Sequence, residues 1–433
     1  MAIINNAIYL IVDRLIRVGL GFITGIILAR YLGVTTFGEL SSALSLRAII
    51  IIFCALGLET FAIKELSRRQ RQTTSIVSSL IVIRIITIVI SALVIFIFYY
   101  YQYVGLVSLI ISMSVIFQFF EPLEYHFKSV YRTSVIAKSS MLASILSFLI
   151  KITMVHFDFS IIYIALSYVF DIFFYHLLLF RFYFGAFGNL KLGRNFKVNL
   201  KFFTQEGIFL VFSSLSVIIY TKIDVIMLSQ IKGDIYAGYY AAATRLSEIW
   251  FIFPPILTQA IVPYVARNFK KESSFGDLGK GMMQLIVVLS LSFIALIYII
   301  SDKLIYNLYG AEYVMSSDIL RLHCVAGLFS AVGTIQASWM YSWGMAKFSA
   351  VKNIIACVIG VCLNYLLIPD FGVYGAASAT IISLFLSSVV LNIFARQGRQ
   401  VVISFFRSII LLDLNLMILI IKSLFGKIKY DKV

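Results

Sequence analysis

Charge is what this sequence has least of. Only 13% of its 433 residues are Asp, Glu, Lys or Arg, about half the roughly 25% of an ordinary soluble domain. With 61% hydrophobic residues and a mean hydropathy of +0.98, this excludes a soluble protein, which has no interior large enough to hide so much apolar surface. Cysteine is nearly as sparse. Cys54, Cys324, Cys357 and Cys362 stand far apart or within one apolar run, and without a CxxC pair they suggest neither a disulfide framework nor a zinc site. His126, His156, His176 and His323 are scattered and lack metal-ligand spacing. There is no GxxxxGK[ST] loop, no HExxH and no nucleophile triad, so the chain is not read as an enzyme, and no cofactor or metal is expected. The longest outer connection, roughly residues 302–317, is too short for the external domain expected of a polysaccharide polymerase or ligase.

What is present is a succession of apolar runs. Twelve of them lie between residues 7 and 395, each near the roughly 20 residues a bilayer span requires. The expected fold class is an all-α polytopic membrane protein with about twelve transmembrane helices. Asp13, Arg14 and Arg17 sit inside the first run, so it is read as a retained span rather than a cleavable signal. A further apolar stretch, 408–421, is short and contains Asp413 and Asn415, which suits an interfacial segment.

The net charge of +16 follows largely from orientation. Most Lys and Arg fall in the even-numbered connections and the tail, among them Lys64, Arg68, Arg132, Arg194, Arg267 and Arg407. The odd connections hold only Arg30, Lys232 and Lys303. The asymmetry places both termini and all even connections in the cytoplasm, and the charge needs no nucleic-acid partner. A weak repeat recurs at an offset of 200: Gly33 and Gly38 match Gly233 and Gly238, Leu28 matches Leu228, Leu46 matches Leu246, and Ala62 becomes Val262. Six spans separate the copies, so the repeat is parallel, with substrate expected between two six-helix halves. The expected organisation is an N-terminal lobe over 1–190, a basic linker over 191–204, a C-terminal lobe over 205–395 and a basic tail over 396–433.

Eight basic residues are left within or just inside spans: Arg14, Arg17, Arg47, Arg84, Lys151, Lys222, Arg245 and Arg321, with the acids Asp13, Glu59, Asp171, Asp224 and Glu248. An unpaired charge at mid-depth costs at least about 2.5 kcal/mol. Such residues therefore pair or line a wet cavity. The spacing i,i+4 of Asp13 and Arg17 and i,i+3 of Arg245 and Glu248 permits pairing on one helix face, and Lys151, Lys222 and Arg321 lie near outer ends where they can snorkel. Cations outnumber acids, which points to an electropositive cavity and to a phosphate or diphosphate as its complement. Arg17, Arg84 and Arg245 are the first candidates for that contact, with Lys222 and Arg47 second. Asp13, Glu59, Asp224 and Glu248 are candidates for charge pairing or for proton or sodium coupling. Tyr220, Tyr239, Tyr240 and Trp250 fall near these charges and could stack on sugar rings. Pro254 and Pro255 interrupt the eighth span, where proline bends a helix.

Several short motifs, in order, resemble a known family. Ala29-Arg30-Tyr31-Leu32-Gly33 with Phe37-Gly38, then Lys222 to Leu228 with Gly238-Tyr239-Tyr240-Ala241-Ala242-Ala243, then Leu308-Tyr309-Gly310 with Tyr313, and Asn364 with Ile368-Pro369-Asp370-Phe371-Gly372 and Gly375-Ala376-Ala377, are similar to polysaccharide transporters. These are the Wzx-type flippases of the multidrug/oligosaccharidyl-lipid/polysaccharide exporter superfamily. The resemblance covers about residues 7–395. It implies a MATE-like fold of two six-helix lobes around a central cavity. It implies translocation of an undecaprenyl-diphosphate-linked oligosaccharide, an O-antigen or capsular repeat unit, to the outer leaflet of a bacterial cytoplasmic (inner) membrane. Membrane lipids and the polysaccharide polymerase machinery would be the other partners. Two relatives of the same superfamily are the alternatives. A drug/cation antiporter would favour acidic cavity residues, and a peptidoglycan-precursor flippase typically has two further spans.

Overall fold

The computed structural model describes residues 2–188, 196–258 and 275–411, with positions 413 and 416 beyond them. The described residues contain no strand. A helix stands at each of the twelve expected runs. The first, α1 (Ala2–Ala55), carries spans one and two and bends at Gly33. It is followed by the short α2 (Glu59–Arg68) and by α3 (Thr73–Tyr100). Span four is built from α4 (Leu106–Met113), a 3-10 stretch (Ser114–Phe120) and α5 (Glu121–Ser129). Spans five to seven are α6 (Thr133–His156), α7 (Ile161–Phe187) and α8 (Phe196–Lys232). Span eight is broken just ahead of its prolines: α9 (Asp234–Ser247) gives way to a 3-10 turn (Trp250–Ile252) and then to α10, helical over 253–258 with Pro254 and Pro255 in its first turn. Next come α11 (Asp277–Tyr309) and α12 (Ser316–Ser342), then α13 (Ala346–Ser388), which carries spans eleven and twelve and turns at Gly372. A last helix, α14, covers Arg396–Ile410.

Eight helical runs among the described residues are long and apolar enough to cross a membrane, and Val12–Arg68 and Ala346–Phe394 each hold two spans. Their outward faces confirm the solvent. Along α3, Ile86, Val89, Leu93 and Phe96 are each about half exposed. Such a stripe is stable against hydrocarbon and not against water.

Tertiary contacts divide the chain into two units, Met1–Ser229 and Gln230–Val433. In the first, Leu66, Ile76, Leu123, Phe127 and Tyr183 form a core that also takes in Phe203 of α8. Residues 191–195 of the expected linker lie outside the described residues. From Phe196 onward the residues of the expected linker are helical: Asn199 is buried and donates to Ser75 Oγ (3.1 Å), and Ser79 Oγ donates to the Phe196 carbonyl (3.1 Å). In the second unit, Met283, Val287, Ile335 and Trp339 pack with Val401 and Phe405 of α14. The first part of the basic tail is thus an amphipathic helix closing this core, with Arg396, Arg399 and Arg407 outward. The apolar stretch 408–421 lies largely outside the described residues.

The repeat at an offset of 200 has a backbone counterpart. Gly33 (φ 71°, ψ 174°) and Gly233 (φ 99°, ψ 164°) both adopt the positive-φ extended conformation that glycine alone tolerates. Each interrupts the helix after the first span of its half, with Leu28 and Leu228 buried ahead of it. Gly33→Ala and Gly233→Ala should each lower stability by about 1–3 kcal/mol in thermal unfolding of the detergent-purified protein. Unchanged melting for both would contradict the strained turn.

Candidate functional site

The charges of the first unit gather in two constellations. One spans α1, α6 and α7, which pack along one another. On the first half of α1, Arg17 holds Asp13 at 2.9 Å, the i,i+4 geometry. The pair is asymmetric: the Asp13 side chain is 2% exposed and that of Arg17 is 54% exposed. The guanidinium therefore has free faces beyond the one that meets the carboxylate. On the second half of α1, Arg47 faces Asp171 and Tyr168 of α7, and its buried Nη1 makes no hydrogen bond. Lys151 of α6 lies 3.9 Å from the centre of the Tyr168 ring, a cation–π contact, and donates to Ser147 Oγ one turn back. It is buried, so it does not snorkel. Its position and that of Asp171, which feels Lys151, Arg47 and Arg17 together, emerge only from packing. Three cations stand here against two carboxylates. The surplus positive charge, with one guanidinium reaching outward, suits an oxyanion.

The second constellation joins α2, α3, α5 and α7. Arg84 of α3 is 3% exposed. Its guanidinium binds Glu121 directly and approaches Tyr125 Oη at 3.3 Å. Tyr125 donates to Glu121 Oε1 (2.7 Å), and Tyr175 donates to Glu124 Oε2 (2.7 Å). Lys128 bridges Glu124 and Glu59, at 2.6 Å to each. The members on α5 are placed by spacing: Glu121 with Tyr125 and Glu124 with Lys128 are i,i+4 pairs on one helix face. Pro122 in the first turn of α5 fits the helix start. Arg84 is therefore committed to a buried carboxylate and does not face an open surface. Glu59 serves as an exposed bridging partner. Glu121 and Glu124 are not among the candidates drawn from sequence, although their i,i+4 spacing to Tyr125 and Lys128 marks them.

The remaining candidates stand elsewhere. On α8, Lys222 is half-buried, and Asp224 is 2% exposed with Oδ1 accepting the Val225 N–H at 2.8 Å. In the second unit Arg245, in the last turn of α9, is half-buried within electrostatic reach of Tyr309 and Tyr313. Glu248 caps the end of the same helix and is half-buried. Two of the proposed sugar-stacking rings are core residues. Tyr240 is fully buried, edge-on to His323, and Trp250 stacks on Phe293 (centroids 5.2 Å apart) and Phe253 (5.7 Å). Tyr239 meets Tyr313 edge-on and Tyr220 is half-buried. Lys352, near the start of α13, is 4% exposed. Among the described residues no cluster of His, Cys, Asp and Glu is arranged to hold a metal.

The model of the family described as "Polysaccharide biosynthesis protein" matches residues 3–269, more than half of the chain. The chain belongs to the polysaccharide biosynthesis protein family. Among curated relatives of this family member, a probable low-salt glycan biosynthesis flippase of Haloferax volcanii is 24% identical over 41% of this chain and 38% of its own. A capsular polysaccharide biosynthesis protein of Staphylococcus aureus is 23% identical over 48% and 54%. The alignments thus span about two fifths to one half of the relatives' lengths. In fold, the chain is similar to an inward closed lipid II flippase (TM-score 0.73, 15% identity, covering 98% of this chain and 97% of that one). It is also similar to an inward-facing multidrug resistance MATE family transporter (TM-score 0.62, 15% identity, 93% and 99%). This polysaccharide biosynthesis family member is therefore a multi-pass membrane protein with the fold of the MOP transporters, and a probable glycan biosynthesis flippase is among its relatives.

Proposed function

We propose that the chain is a flippase that carries an undecaprenyl-diphosphate-linked oligosaccharide, an O-antigen or capsular repeat unit, from the cytoplasmic to the outer leaflet by alternating access. The membrane is a bacterial cytoplasmic membrane and both termini face the cytoplasm. The observation that carries the reading is the surplus of positive charge around Arg17, Arg47 and Lys151, inside a chain of the polysaccharide biosynthesis family. Arg17 presents an exposed guanidinium to the diphosphate, and Arg47 and Lys151 supply the field behind it. Lys222 and Arg245 are further cationic contacts for phosphate or anionic sugar. Arg84 acts through the Glu121 latch, shaping the lobe. Asp13, Glu59, Asp224 and Glu248 tune these cations or couple transport to an ion. The lipid tail stays in the bilayer throughout, and the membrane potential can contribute about 2.3 kcal/mol per charge per 100 mV.

Deleting the gene should abolish surface polysaccharide and let lipid-linked oligosaccharide accumulate in the membrane, with drug susceptibility unchanged. Both changes should revert on re-expression. Intact surface polysaccharide with altered drug susceptibility would overturn the reading in favour of a cation antiporter.

A further inference from the structure

Inside the second unit lies a buried cation that no part of the proposed anion site uses. Lys352 stands on the second turn of α13, about 9 Å from the helix start at 1.5 Å per residue. Its Nζ donates to Gln336 Oε1 of α12 at 2.7 Å and to Asn392 Oδ1, in the 3-10 turn Val390–Phe394, at 3.4 Å. Gln336 and Asn392 are each 0% exposed. Asn392 is fixed by its own amide, which donates to the Ser387 carbonyl (2.9 Å), and Ser387 is tied to Asn353 of α13 (3.0 Å). The partners are neutral amides, and no carboxylate among the described residues reaches the ammonium. On the adjoining stretches Lys347, Arg396 and Arg399 are exposed. Asp318, Arg321 and His323 of α12 lie at least 13 residues from Gln336, about 20 Å away. None of these, nor Asp234 and Arg245 of α9, acts on Lys352.

The amide of Gln336 supplies the second observation. Its Nε2 is buried and has no hydrogen-bond partner among the described residues. A terminal amide offers an acceptor on one side and donors on the other, and a half-turn exchanges them. Facing an ammonium, Oε1 accepts. Facing a neutral amine, the turned amide donates from Nε2 to the nitrogen lone pair. The pocket can therefore satisfy lysine in both protonation states, which a carboxylate partner would not do. A buried cation whose partners among the described residues are neutral amides is also a costly arrangement to keep for packing alone.

The geometry points to Lys352 as a proton-binding site of the C-terminal unit: its ammonium releases one proton to water and regains it in each transport cycle, while the Gln336 amide turns to follow. The proton binding stands on the pocket alone; the coupling to transport rests on the flippase reading.

The test is 15N NMR of the full-length chain, labelled at lysine Nζ, in lipid nanodiscs between roughly pH 5 and 9, where ordinary lysines remain ammonium. One resonance should pass reversibly between ammonium and amine and be missing from Lys352→Met. In Gln336→Glu the new carboxylate should hold that resonance as ammonium throughout. If Lys352→Met does not fold, Gln336→Leu identifies the same resonance by its displaced titration. A Lys352 resonance that stays ammonium across the range would overturn the proposal and leave a fixed structural cation. In proteoliposomes carrying undecaprenyl-diphosphate-linked oligosaccharide, a pH gradient should change the wild-type flipping rate several-fold and leave Lys352→Met indifferent. Equal response of the two would overturn the coupling. Absence of any wild-type flipping would count against the substrate, and the NMR titration would still decide the proton site.

Discussion

Replacing Arg84 by Met should cost the fold about 3–5 kcal/mol, the scale for removing one member of a buried ion pair. The guanidinium is 3% exposed and Glu121 keeps only 21% of its side chain accessible. Without Arg84 the Glu121 carboxylate is left with the Tyr125 hydroxyl as its hydrogen-bond partner among the described residues. Detergent-purified Arg84→Met should melt many degrees below the wild type and accumulate poorly in the membrane. The double variant Arg84→Met with Glu121→Gln should recover much of the loss, because the second change removes the stranded charge. A single variant that melts like the wild type yet makes no surface polysaccharide would contradict the latch and return Arg84 to direct ligand contact.

The second large effect is expected at Arg17, with the opposite signature. Its partner Asp13 is buried, but the guanidinium itself is 54% exposed, so the pair contributes at most about 1 kcal/mol to stability. Arg17→Glu, combined with Asp13→Asn so that no buried carboxylate is stranded, should leave melting nearly unchanged while turning the outward cation into a carboxylate. A charge-assisted contact of about 1.5–3 kcal/mol corresponds to a roughly 10–100-fold loss, and reversing the charge should reach the upper end in surface polysaccharide output. Arg17→Lys should keep part of the function, since an ammonium lacks the two-pronged fit to phosphate oxygens. Full output from the double variant Asp13→Asn with Arg17→Glu would remove Arg17 from the substrate path.

As sequence the two arginines were each a cation near mid-span, and only Arg17 showed a partner. What separates them is a carboxylate 37 residues away for Arg84 and a neighbour on the same helix for Arg17. Local spacing reports the second kind of partner and is blind to the first. The same limit explains Lys151 and Lys352. Each lies near a span end, where snorkelling is the cheap solution, and each is buried because a ring or an amide from another helix covers it. The spans themselves were legible because apolar runs of sufficient length have one solution in a bilayer. So were the breaks at Gly33, at Gly233 and just ahead of the Pro254–Pro255 pair, where the chain has residues suited to a positive φ or unable to donate. The 3-10 stretch Ser114–Phe120 left no such mark, and neither did the packing of α14 into the second core.

The most direct measurement is transbilayer movement in a defined system. The purified full-length chain is reconstituted in liposomes with undecaprenyl-diphosphate-linked oligosaccharide in the inner leaflet, and the glycan reaching the outside is trapped by an added lectin. The wild type should expose the glycan far faster than empty liposomes, and the double variant Asp13→Asn with Arg17→Glu, folded and present in equal amount, should not exceed them by much. Equal rates for the wild type and empty liposomes, or for the wild type and the double variant, would contradict a flippase that draws the diphosphate through this cationic constellation.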